Sequence, residues 1–491
     1  MAKSPVDLSG GAENYLIGLD LGTSAVKGVL MSSKGVILAK ERAQTRYLTS
    51  DNGFIEFDAE EFYMLAAGVI QKLVKTLPRG VAVAGLSMAS ASGNTVLADG
   101  EGNPLMNAIS WMDKRVINET ETIFGRMISR DIHEITGWPY INMFPLAHLC
   151  WLKCHNPELL QKAAKVCMST DYINFRLTGE WGIDSSTATT SYLQCQQSAA
   201  WYMPYLERLG IPEAKLPPIR KTGTVLGHIT PEASAVTGLS LGTPVVLGAF
   251  DHPCAARGSG VLDEGQMLLS CGTSWVGFFP LKNREMAVRQ ALLIDPFLQK
   301  EGLWGAMFSL GGVANYIDKY IRRYISGSPG RYIEFDRLAS SSKAGAGGLL
   351  VNTMRYEETD ELNNRPKEDI ARAIMEGTVY LLRMRMEQLR NAGMRAESIK
   401  MVGGPSETAP WPQVAADILG TELEIVNGSC AGAVGAAIIA GIGAGLFTGE
   451  WDARNRMNFE KRFLAPDKKI HEEYNRYYEQ FVEKYPVSNV I

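Results

Sequence analysis

Two stretches some 250 residues apart in the chain share one pattern. "YLIGLD" runs as an apolar strand into Asp20, turns at Gly22-Thr23-Ser24 and continues as "AVKGVLM". "GQMLLSC" runs into Gly272-Thr273-Ser274 and continues as "WVGFF". Three matching residues carry little alone. The same strand–turn–strand setting on both sides points to two related halves. A length of 491 residues leaves room for a core in each.

Small residues in a turn after a strand let the backbone approach an anion. The second half holds two more such places. One is "SLGGVANYI", around Gly311 and Gly312; the other is "IKMVGGPSETAPWPQVAADILG", where a strand reaches Gly403-Gly404 and a helix follows. Strand, paired glycines and helix start make a seat for an anion or nucleotide. Any one of these can equally be a plain tight turn; four in one chain favour a phosphate-bearing ligand.

The surrounding segments predict a mixed sheet with helices packed on it, an α/β fold. In "FDAEEFYMLAAGVIQKLVKTL", Asp58 is placed to cap a helix whose apolar stripe is Phe62, Leu65, Ala66, Val69, Ile70 and Leu73. "VAVAGLSMAS" reads as a buried strand, and "NTVLADGEGNPLMNAISW" as a hairpin around Asp99-Gly100. Residues 115–220 read as mostly helical, ending in the proline-marked "IPEAKLPPIRKTGTVLG". "TPVVLGAFD" is an apolar strand ending in Asp251.

Charge and composition exclude some partners. With 49 basic and 53 acidic residues and no basic tract, a nucleic-acid partner is disfavoured. Residues 1–13 lack the apolar core of a secretory signal and read as a flexible tail. Seven cysteines with no CxxC pair suit a reducing cytoplasm. "HLCWLKCH" carries the metal-ligand types His148, Cys150, Cys154 and His155, but the cysteines sit at helical spacing beside Leu149 and Leu152, which favours thiols on a buried helix. "AGAVGAAIIAGIGAGLF" is the longest uncharged run; its Ala and Gly content favours a closely packed buried helix over a membrane span, and no membrane partner is expected.

The segments "IGLDLGTSAVKGVL", "FDHPCAARGSGV", "CGTS", "GGVANYI", "MVGGPSETAPWPQVAADILG" and "GAVGAAIIAGIGAGLF" follow one another as in the FGGY carbohydrate kinases, and the chain resembles the xylulose kinase-like members of that family from Tyr15 to its C-terminal helix. The resemblance implies two actin-like (RNase H-like, duplicated ASKHA) domains with an interdomain cleft. The sugar-binding domain would be 14–257 and the nucleotide-binding domain 258–491. It implies ATP-dependent phosphorylation of a ketose or polyol, with ATP and Mg²⁺ as cofactors, a sugar as substrate and a second copy of the chain as a partner. His148 stands where a lysine is usual in the family, and "NTMRYEETDELNNRP" departs from the family's longer loop.

By that resemblance, Gly22, Thr23 and Ser24 meet the nucleotide's phosphates, with Gly272 and Thr273 the matching turn. Gly311, Asn315, Gly403 and Gly404 border the nucleotide, and Thr408 lies near the base. Lys27 is either a cationic phosphate contact or a solvated strand lysine. Asp20 poses a charge problem: a carboxylate about 4 Å from a phosphate oxygen is repelled by roughly 4 kcal/mol at an effective dielectric near 20. A Mg²⁺ ion held through water by Asp20 resolves it; the alternative is an Asp that only tightens its turn. Asp251, at a strand's end, is placed to take the sugar hydroxyl's proton, a role compatible with capping the next helix. Ser92, Trp111, Asp113 and His252 are expected at the sugar. Ala91-Ser92 match neither the Arg-Glu pair of glycerol kinases nor the Met-His pair of xylulose kinases. The expected acceptor is a ketopentose. Glycerol or another polyol is the first rival, and an actin- or chaperone-like ATPase without a sugar substrate is the second.

Overall fold

The structure is a computed structural model and describes residues 13–486, apart from 79, 126 and 460. The expected tail lies, except for Glu13, outside the described residues. The chain divides into two compact units, each discontinuous in sequence. The first takes residues up to Ile128, then Ile141–Asp251 and Ala433–Phe459; the second takes Ser129–Tyr140, His252–Gly432 and residues from 460 on.

In the first unit, β1 (Tyr15–Leu21), β2 (Ala25–Ser32) and β3 (Ile37–Gln44) form an antiparallel meander. β1 is buried along nearly its whole length, as an unbroken apolar run should be in a central strand. β3 lies at the sheet's edge and carries exposed Lys40 and Arg42, charges that discourage further pairing. Helix α1 (Ala59–Val74) follows, and the Asp58 carboxylate accepts from the backbone N–H groups of Glu60 and Glu61. Its buried face contains Phe62, Ala66, Val69, Ile70 and Leu73, as the sequence period predicted. β4 (Val83–Ser90) then runs parallel to β1.

The stretch from 119 to 209 is mostly short helices, among them α2 (Pro145–His155), which contains "HLCWLKCH". Here His148 is fully buried, with its Nδ1 2.9 Å from Thr95 Oγ1, and burial pushes its pKa down to about 3. Burial pushes the Cys150 thiol up to about 12, and His155 pairs with Glu119 at 2.9 Å. Among the described residues, no three of these side chains form a group placed to hold a metal. The sheet is completed by β5 (Val225–His228) and β6 (Pro244–Phe250), after which α3 (Asp251–Ser259) begins at once.

The second unit repeats the plan. β7 (Gln266–Cys271) and β8 (Trp275–Leu281) flank the second Gly-Thr-Ser turn, and β9 (Leu293–Leu298) and β10 (Leu303–Leu310) extend the sheet. Then come α4 (Val313–Tyr320), α5 (Arg331–Ser341), α6 (Lys367–Asn391), β11 (Ser398–Gly403), α7 (Pro410–Leu419) and β12 (Leu423–Val426). The chain continues through α8 (Ala431–Gly443), β13 (Lys461–Leu464) and α9 (Lys468–Lys484).

Strand order is β5-β6-β4-β1-β2-β3 in the first sheet and β9-β10-β8-β7-β11-β12-β13 in the second. Read outward from β1 and from β7, both sheets have an antiparallel meander on one side. On the other side each has two parallel strands, then an antiparallel edge. The duplication legible in two three-residue turns is therefore a duplication of whole sheets, with β9 as an added edge strand.

Most of α8 belongs to the first unit, and its composition has a steric reason. A Cβ at Gly18 of β1 would collide with the Ala433 carbonyl oxygen and lie 2.5 Å from the Ala437 backbone nitrogen. Helix backbone rests on strand backbone there, which only small residues permit. Among the described residues, no helix is long and apolar enough to cross a membrane. Gly18→Ala should lower unfolding stability by about 1–3 kcal/mol in urea titration, the usual range for overpacking a filled core. An unchanged midpoint would show that α8 can move aside without cost.

Candidate active site

The first unit gathers its chemistry at one sheet edge. In the register, Leu21 of β1 and Phe250 of β6 both lie opposite Ser90 of β4, so three parallel strands finish level. Asp20 is the penultimate residue of β1, and Asp251 is the first residue beyond β6. One strand separates theirs, so the two strand axes lie about 10 Å apart. The two acids singled out by sequence thus share an edge of one sheet, in one unit.

Asp251 is held by its neighbours' backbone. The Phe250 N–H donates to Ser186 Oγ at 3.0 Å. Ser186 sits in the short helix Ser185–Thr189, where the Asp184 carboxylate accepts from the Thr187 N–H at 2.7 Å. Farther back in β6 the register shifts between Val246 and Ala249, and a Cβ at Gly248 would collide with the Met88 carbonyl oxygen. Bulge and serine together aim the strand end. Sequence reasoning missed Ser186; the cap pattern Asp184-Ser185-Ser186-Thr187 was its only local signal.

Asp20 lies directly opposite Lys27 across β1 and β2, and the Lys27 ammonium is 3.8 Å from its carboxylate. Lys27 is therefore beside the acid as well as beside the turn. In the turn itself, Thr45 ties down Gly22 through its hydroxyl (3.3 Å) and Ser24 through its N–H (3.2 Å), while the Trp111 indole N–H donates to Thr23 Oγ1 at 3.1 Å. Thr23, expected at the nucleotide, and Trp111, expected at the sugar, are thus in contact. The space enclosed behind them, bordered by Ala91, Asn94 and Ser169, is about 10 Å³, room for about one water. Ser92 is buried and its hydroxyl donates to the Ser90 carbonyl at 3.3 Å.

Asp113 is 1% exposed, and its acceptor positions are taken. Oδ1 accepts from Arg115 N–H (2.8 Å) and Nε (2.9 Å); Oδ2 accepts from Ile55 N–H (2.6 Å) and Arg115 Nη2 (2.8 Å). A carboxylate has about four such positions. Burial pushes its pKa up, but the Arg115 guanidinium and the two backbone donors outweigh burial and hold it below the usual value. Arg115 also donates to Glu56 at 2.6 Å and lies over the Phe54 ring, 4.1 Å from its centroid. Asp113 fixes this cluster, and a sugar hydroxyl would have to share oxygens already in use.

The second unit's edge joins the glycine turns that sequence picked out. The Gly312 N–H donates to Ser274 Oγ at 2.9 Å, and the Ala314 N–H donates to the Thr273 carbonyl at 3.1 Å. Gly272-Thr273-Ser274 and Gly311–Asn315 are therefore one knot. Cys271 lies opposite Gly403 in the β7–β11 register, and a Cβ at Gly403 (φ 98°) would collide with the Cys271 carbonyl oxygen. Gly404 opens the short turn leading to Thr408. The Thr408 and Trp411 side chains hydrogen-bond Asp336 of α5, whose carboxyl is nonetheless pushed up to about 6 by burial. His252 follows Asp251 in α3 and is counted with the second unit.

Asp336 gives a signed pH prediction. An acid raised from 3.8 to about 6 contributes stability below pH 3.8, and that contribution is lost as pH rises through about 6. Asp336→Asn should therefore stabilise the protein above pH 6 by on the order of 1 kcal/mol and have no such effect near pH 4. Thermal melts across that range check it; a pH-independent effect would contradict it.

Among the described residues, no group of three or more His, Cys, Asp and Glu is placed to hold a metal. Asp20 offers a single carboxylate beside the first Gly-Thr-Ser turn, a type of donor that Mg²⁺ takes together with substrate phosphates.

Sequence-family models for the N-terminal and C-terminal domains of the FGGY family of carbohydrate kinases match residues 15–258 and 337–444. The chain belongs to the FGGY family of carbohydrate kinases. A xylulose kinase from Bacillus subtilis is 28% identical over 456 residues, covering 88% of this chain and 89% of its own. An autoinducer-2 kinase from Salmonella typhimurium is 27% identical over 489 residues, with 91% of each chain covered. Among solved structures, a xylulose kinase from Rhodospirillum rubrum superposes with a TM-score of 0.81 at 25% identity, over 96% of this chain and 98% of its own. This FGGY kinase is an α/β enzyme of two actin-like domains, with a sugar and ATP as its substrates and ATP as the phosphate donor. Family membership sets aside the reading as an ATPase without a sugar substrate.

Proposed function

We propose that this FGGY kinase phosphorylates a hydroxyl of a ketopentose such as xylulose or ribulose, with Asp251 as the general base. The observation that carries the proposal is the shared edge: Asp251 and Asp20 stand at the ends of strands that finish level in one sheet. A group there can accept a hydroxyl proton as the oxygen attacks the γ-phosphorus. Ser186 and the bulge at Gly248 keep the carboxylate in place without needing its charge.

The nucleotide falls to the knotted turns of the second unit, Gly272, Thr273, Gly311, Asn315, Gly403 and Gly404, with Thr408 beyond them. Gly22, Thr23, Ser24 and Lys27 supply the first unit's phosphate contacts. Asp20 holds Mg²⁺ through water, and the ion neutralises phosphate charge when bound. The sugar meets Trp111, Ser92 and His252, with Asp113 holding the wall through Arg115. In this reading the half 14–257 carries the sugar contacts and the half 258–491 most of the nucleotide contacts. All seven cysteines are free thiols, which fits a cytoplasmic setting.

The similarity to a protein named xylulose kinase supports a ketopentose. Autoinducer-2 is the second candidate, because kinases bearing that name align over more residues. A panel of xylulose, ribulose, autoinducer-2, glycerol and erythritol, assayed for ADP release, tests the choice. The proposal expects a ketopentose to lead glycerol by at least about tenfold in kcat/KM, the worth of one well-placed hydroxyl contact. Glycerol leading the panel would overturn it.

A further inference from the structure

The nucleotide turns lie where β7 and β11 end. Where those strands begin, at the opposite edge of the same sheet, there is a cavity of about 490 Å³. None of its lining residues is among those proposed above for phosphoryl transfer. Its volume falls in the range that accepts small organic ligands, about 300–1,000 Å³.

The lining divides by chemistry. Met267, Phe279, Phe308, Leu389 and Leu419 give an apolar surface. The polar part begins with Arg383 and Glu387, which neutralise each other at 3.0 Å. Both are fixed by Tyr478, whose hydroxyl donates to Glu387 at 2.8 Å and whose ring lies 4.1 Å from the Arg383 guanidinium. Arg390, at the end of α6, and Arg395, before β11, also line the cavity. Among the described residues, neither guanidinium takes part in a salt bridge. Glu397 is the one further acid of the lining, so the two arginines leave a positive excess. His471 adds a ring whose Nδ1 is 2.7 Å from the Asp417 carbonyl oxygen. A carbonyl only accepts, so that nitrogen carries the hydrogen.

We propose that this cavity is a second ligand site, for a small organic anion that carries a phosphate or carboxylate on an apolar body. The guanidinium fork matches either head group, and the methionine, leucine and phenylalanine side chains match the body. The site is independent of which sugar the enzyme phosphorylates.

Isothermal titration of the full chain with phenyl phosphate, phenylacetate and neutral benzyl alcohol tests it. The proposal expects at least one anion to bind with a Kd of about 1 mM or tighter, and the alcohol to bind at least about tenfold more weakly. Saturating ADP should leave the anion's affinity unchanged. The double variant Arg390→Ala/Arg395→Ala should weaken the anion by about tenfold or more, with its thermal midpoint kept, since both side chains are exposed. Arg395→Glu alone should weaken it in the same direction. Absence of binding by both anions, equal binding by the double variant, or displacement by ADP would each overturn the proposal.

Discussion

Asp251→Asn is expected to lose about 10²-fold or more in kcat while ATP affinity stays nearly intact. A carboxamide has the size of the carboxylate but cannot take a proton, and general acid–base catalysis accounts for about 10²–10⁴ in rate. The fold should tolerate the change. The Phe250 N–H still reaches Ser186, and the nearest approach at Gly248 is to the Met88 backbone carbonyl. The residues proposed to hold the nucleotide lie mostly on other elements, so binding and turnover should separate cleanly. Steady-state kinetics with ATP varied at saturating sugar reads both terms. A variant of undiminished turnover would remove Asp251 from the chemistry, and one that lost ATP affinity in proportion would make it a binding residue.

Asp20→Asn is expected to raise the Mg²⁺ concentration needed for half-maximal activity by about tenfold or more and to lower kcat as well. Mg²⁺ is typically anchored by one or two carboxylates together with substrate phosphates, and among the described residues no group of three or more His, Cys, Asp and Glu is placed to hold a metal without them. Lys27 allows a sharp control. If Asp20 serves only to pair with Lys27 at 3.8 Å across β1 and β2, Lys27→Met should produce the same defect, with Mg²⁺ dependence unmoved in both variants. The present account expects the two variants to differ: Lys27→Met should mainly raise the KM for ATP, and Asp20→Asn should shift the Mg²⁺ curve.

The parts of the fold that were legible in the sequence are those written in short-range pattern. Asp58 before an apolar stripe gave α1 its start and its buried face, because a cap and a 3.6-residue period are local signals. The repeated Gly-Thr-Ser turn gave the duplication, since both copies sit between antiparallel strands of the same apolar, buried character. The Ala- and Gly-rich run gave a buried helix. That it rests on Gly18 needed coordinates, because nothing in either segment names the other.

The acids and glycines proposed for the site stand out in the sequence, but the contacts around them do not. Trp111 donates to Thr23, 88 residues away, and Phe250 to Ser186, 64 residues away. Such pairings are set by how strands stack into a sheet, which periodicity does not encode. Asp113 shows the same limit from the other side. The family resemblance put it at the sugar, and only coordinates show that Arg115, two residues on, and the Ile55 backbone, 58 residues back, donate to its oxygens. A carboxylate in sequence announces acceptor capacity without showing which donors have claimed it.

The most direct test follows the phosphorus. Wild-type enzyme is incubated with ATP, Mg²⁺ and xylulose or ribulose, and ³¹P NMR identifies where the γ-phosphoryl group goes. The account predicts a phosphomonoester of the sugar formed in step with ADP, and little ADP without sugar. Inorganic phosphate released at the same rate with or without the sugar would contradict it.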